Sequence, residues 1–129
     1  MSKIRVLVMD DEAPIRDIAC RLLGHIGVAA VAAAPDGAAA LSLYQNAMLE
    51  NKPFSAVILD LTVIGGKGGI ETLGQLRELD HGVKAILSSG YTSANTIEEY
   101  QKLGFCGFID KPYTLIQLKE ILAKVIGNR

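Results

Sequence analysis

The sequence predicts an α/β fold in which five parallel strands form one doubly wound sheet with helices on both faces. Five short apolar runs recur along the 129 residues, and a segment of helical periodicity follows each of them. The apolar runs lack the strict alternation of a half-exposed strand, which is typical of strands covered on both faces. Short strands that alternate with helices form a parallel sheet with right-handed crossovers.

Each predicted strand is a short apolar stretch bounded by polar or small residues. The first reads IRVLVM, the third AVIL and the fourth KAIL, and each of these stops before aspartate or serine. The second is weaker, because alanine is a poor strand former. The five predicted strands are residues 4–9, 28–33, 56–59, 84–87 and 107–110.

Capping residues and helix breakers set the limits of the predicted helices. Pro14 suits the first turn of the first helix, and Gly27 ends that helix. Asp36 caps the second helix, and Thr114 with Gln117 forms a capping box for the fifth. The five predicted helices span about residues 14–26, 36–50, 70–79, 93–103 and 114–126.

Composition excludes several classes of protein. The formal net charge of -1 gives no electrostatic basis for binding nucleic acid or an anionic membrane directly. No apolar run approaches the roughly 18 residues of a membrane span, and the first residues read as a strand rather than a signal peptide. Cys20 and Cys106 lack metal or redox spacing, which predicts two small buried thiols in a reducing, cytoplasmic setting. Without a linker or repeat, we expect one domain over residues 1–129.

Polar residues that could bind an ion or take part in a reaction follow the predicted strands. Asp10 and Asp11 follow the first strand, Asp60 the third, Ser88 the fourth and Lys111 the fifth. Because the carboxyl ends of parallel strands meet at one edge, we expect these side chains to lie together. Crowded carboxylates repel unless they are protonated or share a cation, and oxygen ligands suit Mg²⁺ or Mn²⁺. The lysine adds a positive charge that could contact an anion. These aspartate, serine and lysine residues together predict phosphoryl transfer to a carboxylate.

Four motifs at these positions resemble the receiver domain (response regulator) family over nearly the whole chain. The motifs are VMDDE around Asp10 and Asp11, VILDL around Asp60, AILSSG around Ser88 and GFIDKP around Lys111. The resemblance implies a flavodoxin-like three-layer sandwich with strand order 2-1-3-4-5. It also implies a phosphorelay function, in which a phosphohistidine donates a phosphoryl group and a protein-interaction surface then changes.

The resemblance further implies how an acceptor and a cation site would be built. Asp60 would be the phosphoacceptor. Asp10 and Asp11 would hold Mg²⁺ or Mn²⁺ together with Asp60 and the backbone carbonyl of Thr62. These four residues are the predicted metal ligands.

Three further roles come from the same resemblance. Ser88 would be the hydroxyl that contacts the phosphoryl group and moves when the domain switches. Lys111 would contact a phosphoryl oxygen. Phe108 would be the aromatic residue whose rotamer reports the switch, although a core packing role is equally compatible with its place in a strand.

The resemblance also implies partners and a setting. A sensor histidine kinase or a histidine phosphotransfer domain would supply the phosphoryl group, and a homodimer on phosphorylation is compatible with the family. The glycine-flanked loop and the SSGY stretch resemble receiver domains of hybrid sensor histidine kinases most. The parent is therefore expected to be such a kinase, membrane-anchored or not, or a stand-alone response regulator. The domain itself is expected to catalyse only its own phosphorylation and dephosphorylation in the cytoplasm.

Three other interpretations remain open at this point. A Walker-type nucleotide loop needs Ser or Thr after its lysine, whereas Gly68 follows Lys67. An aspartate-based phosphohydrolase of the haloacid dehalogenase type needs an acid-base aspartate two residues after its nucleophile, where this chain has Thr62. A receiver-like docking module that is never phosphorylated would not need all the acidic residues and Lys111, which are present.

Overall fold

The computed structural model of the chain contains one sheet of five parallel strands. The structure describes residues 3–61, 63, 66, 68–90 and 94–127. The strands are β1 (Arg5–Met9), β2 (Ala30–Ala34), β3 (Ala56–Asp60), β4 (Ala85–Ser89) and β5 (Gly107–Asp110). Their spatial order is β2-β1-β3-β4-β5, which confirms the predicted doubly wound topology.

Five helices connect and follow the strands. They are α1 (Ala13–Ile26), α2 (Gly37–Leu49), α3 (Gly69–Leu79), α4 (Ala94–Leu103) and α5 (Leu115–Ile126). The predicted caps form: Asp36 Oδ1 accepts from the amide of Ala39 at 2.9 Å, and Thr114 Oγ1 accepts from the amide of Gln117 at 3.2 Å. Gly27 ends α1 with a φ of 99°, which glycine adopts without strain. Across the described residues, no helix is both long enough and apolar enough to span a bilayer.

Side chains alternate across the strands, so the sheet separates two apolar cores. The first core lies against α2 and α3, and its strand residues include Leu7, Met9, Val57, Leu59 and Leu87. The second core lies against α1 and α5, and its strand residues include Val6, Val8, Ile58, Ile86 and Ile109. Helices therefore cover both faces, as the predicted three-layer sandwich requires.

Several strand boundaries differ from the sequence prediction by one or two residues. The second strand begins later than predicted, because the amide of Val28 donates to Leu23 O and completes the end of α1. The third and fourth strands continue further than predicted. Asp60 pairs with Ser88, and Ser89 pairs with Asp110, so these polar residues belong to the sheet itself. The sheet therefore holds part of the candidate site directly.

The cysteines are less buried than predicted. Cys106 is exposed, Cys20 is half-buried, and both are free thiols. The prediction of two buried thiols is therefore wrong for Cys106. The residue lies just before β5, which is an edge strand of the sheet with a neighbouring strand on one side only.

Candidate functional site

Three aspartates meet at the carboxyl edge of the sheet. Asp10 and Asp11 directly follow β1, and Asp60 is the last residue of the neighbouring strand β3. One carboxylate oxygen from each residue lies within 4.8 Å of the others. Asp10 is fully buried and Asp60 is 4% exposed, whereas Asp11 is half-buried. The fold thus brings together three of the four predicted metal ligands.

Backbone contacts hold Asp10 in a defined orientation. Its amide donates to Ala34 O at 3.0 Å, which ties the residue to the end of β2. Its Oδ1 accepts from the amide of Glu12 at 2.9 Å. Arg16 Nη1 donates to the carbonyl oxygen of Asp10 at 2.8 Å. Arg16 is a residue that the sequence analysis did not select, and its place one turn into α1 explains how it reaches the site.

Lys111 reaches the acidic group from the end of β5. Its Nζ lies 2.7 Å from Asp10 Oδ2 and 3.0 Å from Asp60 Oδ1. Burial alone would lower the pKa of Lys111, but hydrogen bonds and negative charge from both aspartates outweigh that effect and raise it. The side chain is therefore a fixed cation at neutral pH, placed where the sequence analysis predicts a contact for an anion.

The donor set fits a hard divalent cation. All three side chains offer carboxylate oxygens, which Mg²⁺ prefers. Two oxygens on opposite sides of one Mg²⁺ lie about 4.2 Å apart. Oxygens that already lie within 4.8 Å of one another need only small movements to share such an ion. The fourth predicted ligand, the carbonyl of Thr62, lies outside the described residues.

Two glycines allow the start of α3 to pack against the end of β3. A methyl group on Gly69 would lie 2.6 Å from the carbonyl oxygen of Asp60, and one on Gly68 would lie 2.8 Å from that of Leu61. Both contacts are with backbone, which does not yield easily. Close packing beside the acidic group is therefore sufficient reason for these glycines, without a bound nucleotide. Gly65 and Lys67 lie outside the described residues.

The hydroxyl of Ser88 contacts a tyrosine. Ser88 is fully buried and pairs with Asp60 in the sheet. Its Oγ lies 2.6 Å from the hydroxyl oxygen of Tyr113, whose ring belongs to the second core. Burial raises the pKa of Tyr113 to about 12, although the Ser88 hydrogen bond lowers it, so the phenol is neutral at physiological pH. Sequence reasoning missed Tyr113, and its place two residues after Lys111 was the available signal.

Ser89 is a second hydroxyl at the same strand end that the sequence analysis did not select. It is 8% exposed, and its carbonyl oxygen accepts from the amide of Lys111 at 2.8 Å. Because side chains alternate, Ser89 faces the first core and Ser88 the second. The two adjacent serines of the SSG stretch are indistinguishable as residue types, so the sequence offered no basis for choosing between them.

Phe108, the predicted switch aromatic, lies on the face of β5 that packs against the first core. Its ring is half-buried and packs against the first core, on the same face of the sheet as Ser89. Phe108 also lines a shallow cavity of about 230 Å³ beside α5, together with Gln117 and Ile121. The ring thus lies between the interior and the surface.

Comparisons with known proteins identify the family and agree with the fold. A family model described as the response regulator receiver domain matches residues 6–123. The chain is 31% identical over 125 residues to chemotaxis protein CheY-3 of Vibrio cholerae, which covers 95% of this chain and 91% of that protein. The chain is 33% identical over 112 residues to a protein-glutamate methylesterase/protein-glutamine glutaminase of Paramagnetospirillum magneticum, covering 84% of this chain but 28% of that protein. Among solved structures, CheY4 of Vibrio cholerae has a TM-score of 0.83 and 26% identity, with 95% of this chain and 98% of that chain covered.

Proposed function

Because the chain belongs to the response regulator receiver domain family, we propose that it is the phosphoacceptor domain of a two-component phosphorelay and that Asp60 accepts the phosphoryl group. One observation supports this most directly. Carboxylates from β1 and β3 lie within 4.8 Å of one another, and the ammonium of Lys111 lies 3.0 Å from Asp60 Oδ1. An acceptor, a candidate cation site and a fixed positive charge thus share one place.

The proposed reaction is transfer of a phosphoryl group to a carboxylate oxygen of Asp60. A Mg²⁺ or Mn²⁺ ion held by Asp10, Asp11, Asp60 and the carbonyl of Thr62 would neutralise charge on the phosphoryl oxygens. The Asp60 oxygen forms a bond to phosphorus, and the bond from phosphorus to the donor nitrogen of a phosphohistidine breaks. The electron pair of that bond leaves with the imidazole.

Lys111 has a matching role in this proposal. Its ammonium pairs with Asp60 Oδ1 before transfer and moves to a phosphoryl oxygen once that carboxylate is esterified. The raised pKa of Lys111 supports this role, because the side chain stays charged throughout the physiological range.

A serine at the end of β4 supplies the hydroxyl that contacts the phosphoryl group. Ser88 is the predicted residue; it pairs with Asp60 in the sheet, but its hydroxyl is hydrogen-bonded to Tyr113. Ser89 is a second candidate and shares the face of Phe108, the proposed switch aromatic. Alanine variants of each serine would separate these two assignments.

The remaining features of the proposal concern the parent protein. We infer a histidine kinase or histidine phosphotransfer domain as the donor, and a changed protein surface as the output. Residues 1–129 would form one domain whose own catalysis is limited to gaining and losing the phosphoryl group. A cytoplasmic setting, a parent of the hybrid kinase or stand-alone type, and a homodimer on phosphorylation belong to the same proposal.

Radiolabelled acetyl phosphate tests the central claim. With millimolar Mg²⁺, the wild-type chain should acquire label. Hydroxylamine, which cleaves acyl phosphates, should remove that label, and chelation of the metal should prevent labelling. Asp60→Asn should remain unlabelled. Asp36→Asn, which makes the same change of charge at a helix cap outside the acidic group, should label like wild type. Labelling of Asp60→Asn at the wild-type rate would contradict the assignment of the acceptor.

A further inference from the structure

A buried pair of hydroxyls joins the end of β4, beside Asp60, to the start of the segment before α5. Tyr113 is 7% exposed and Ser88 is fully buried, and their oxygens are 2.6 Å apart. Twenty-five positions separate the two residues in the chain, so the contact is a product of the fold. Buried hydroxyls need hydrogen-bond partners, and each of these supplies the partner of the other.

This pair is a tie between β4 and the turn that carries Lys111, in addition to a backbone contact. The first tie is in the backbone, where the amide of Lys111 donates to Ser89 O at 2.8 Å. The second joins the side chains of Ser88 and Tyr113. The two ties lie on both sides of Pro112, so the turn between β5 and α5 is anchored to the end of β4 at each end.

We propose that Tyr113 is a positioning residue for phosphoryl transfer: its hydrogen bond to Ser88 holds the β5–α5 turn against β4 and so keeps the ammonium of Lys111 over Asp60. This inference rests on the proposed function. It assigns Ser88 a supporting role on the α1–α5 face and leaves the phosphoryl contact to Ser89.

Geometry connects the pair to the reacting groups. Ser88 is the partner of Asp60 in the sheet, so a shift at Ser88 is transmitted to the neighbouring acceptor strand. Tyr113 follows Lys111 by two residues, so a shift of its ring moves the lysine backbone. Small displacements of a charge that faces the phosphoryl group have large effects on transfer.

Tyr113→Phe removes one oxygen and keeps the ring in the second core. A matched control exists in Tyr44→Phe, because Tyr44 is 2% exposed and its hydroxyl donates to Asp80 Oδ2 at 2.7 Å, far from the acidic group. Both variants lose one buried hydrogen bond and keep their aromatic packing. A purely structural role for Tyr113 would make the two variants behave alike.

The first measurement is amide hydrogen exchange without metal, which reports how readily the turn opens, independently of phosphorylation. In Tyr113→Phe, the Lys111 amide should exchange at least about fivefold faster than in wild type, because its local opening no longer breaks the second tie. Amides of β1 should keep their wild-type exchange in this variant. In Tyr44→Phe, the Lys111 amide should be unchanged.

The second measurement is the rate of Asp60 labelling by acetyl phosphate at saturating Mg²⁺. Tyr113→Phe should label about fivefold to tenfold more slowly than wild type, whereas Tyr44→Phe should label at the wild-type rate. Ser88→Ala should match Tyr113→Phe, and the double variant should be no slower than either, because all three remove the same bond.

The outcomes separate this inference from the proposed function. Wild-type exchange and wild-type labelling in Tyr113→Phe would overturn the positioning role. So would additive losses in the double variant, which would mean that Ser88 acts on the phosphoryl group itself. If the wild-type chain takes no label but Lys111 exchanges faster in Tyr113→Phe, the proposed function fails while the tie between Tyr113 and the lysine turn stands.

Discussion

Lys111 Nζ lies 3.0 Å from Asp60 Oδ1, so the proposed phosphoacceptor is already paired with a cation from the fifth strand. The same ammonium lies 2.7 Å from Asp10 Oδ2. Lys111 therefore occupies carboxylate oxygens that a divalent ion would also use. Its positive charge offsets repulsion among the aspartates and would compete with a metal ion for them.

Removal of that ammonium should strengthen metal binding and weaken phosphoryl transfer. In Lys111→Met, we expect Mg²⁺ to bind about tenfold more tightly by calorimetric titration, because a competing charge is lost. Labelling of Asp60 should fall at least about tenfold, because the ammonium that would contact a phosphoryl oxygen is lost. Lys119→Met removes an exposed α5 lysine and should change neither. Weaker Mg²⁺ binding in Lys111→Met would contradict the competition.

Neutralisation of Asp10 should abolish stabilisation by the metal. Mg²⁺ at about 100 times its dissociation constant should stabilise wild type by about 2.7 kcal/mol through mass action. Asp10→Asn keeps an acceptor for the Glu12 amide but loses the charge, so its unfolding midpoint should hardly respond to Mg²⁺. Asp36→Asn makes the same chemical change at a helix cap, where the carboxylate accepts a hydrogen bond of the same length, 2.9 Å. The unfolding midpoint of this variant should respond to Mg²⁺ like that of wild type. An equal response in both variants would argue against Asp10 as a ligand.

The two glycines of α3 should respond oppositely to alanine. Gly69→Ala places a methyl group 2.6 Å from the carbonyl oxygen of Asp60. Urea denaturation should therefore show that the free energy of unfolding is lower by about 1–3 kcal/mol. Labelling should also slow, because the acceptor strand must shift. Gly74→Ala adds a methyl group with nothing within 4 Å and should stabilise the helix by about 0.5–1 kcal/mol. Equal stability of the two variants would show that the close approach at Gly69 is relieved at little cost.

Stability at high pH should depend on the phenol of Tyr113. Its pKa rises from 10.0 to about 12 on folding, so its contribution to stability is complete below pH 10 and is lost as the pH rises to 12. One proton corresponds to about 1.4 kcal/mol per pH unit in that window. Urea denaturation from pH ~9 to ~12 should therefore give a shallower decline for Tyr113→Phe than for wild type. Tyr44, whose pKa is also raised, contributes equally to both proteins, so it does not enter the difference between them. Identical slopes of stability against pH in the two proteins would mean that folding does not raise the pKa of the Tyr113 phenol.

Much of the fold was predictable because its signals are local. The caps at Asp36 and Thr114 form as expected, since a cap depends on a side chain and an amide three residues away. The second strand begins later than predicted because the amide of Val28 bonds to the end of α1. Residue propensities do not describe this competition between a helix and a strand for the same residue. Cys106 is exposed because β5 lies at the edge of the sheet, which is a property of strand order rather than of residue type.

The acidic group was predictable for a different reason. Asp10, Asp11 and Asp60 follow strands, and the carboxyl ends of parallel strands share one edge whatever the details of packing. Lys111 arrives by the same rule. Arg16 and Tyr113 escaped prediction, because their roles depend on which way one side chain of a helix or turn points.

Residue order alone was enough to establish the alternation of strands and helices, the edge where the carboxylates gather, and the lysine that faces them. These follow from periodicity and from the shared direction of parallel strands. Packing in three dimensions decided which core each serine of the SSG stretch faces and brought the Tyr113 hydroxyl to Ser88. The physical reason is that a shift of one residue along a strand moves each side chain to the opposite face of the sheet. The register of β4 with its neighbours therefore determines the face of each serine, and the packing of α5 determines the position of Tyr113.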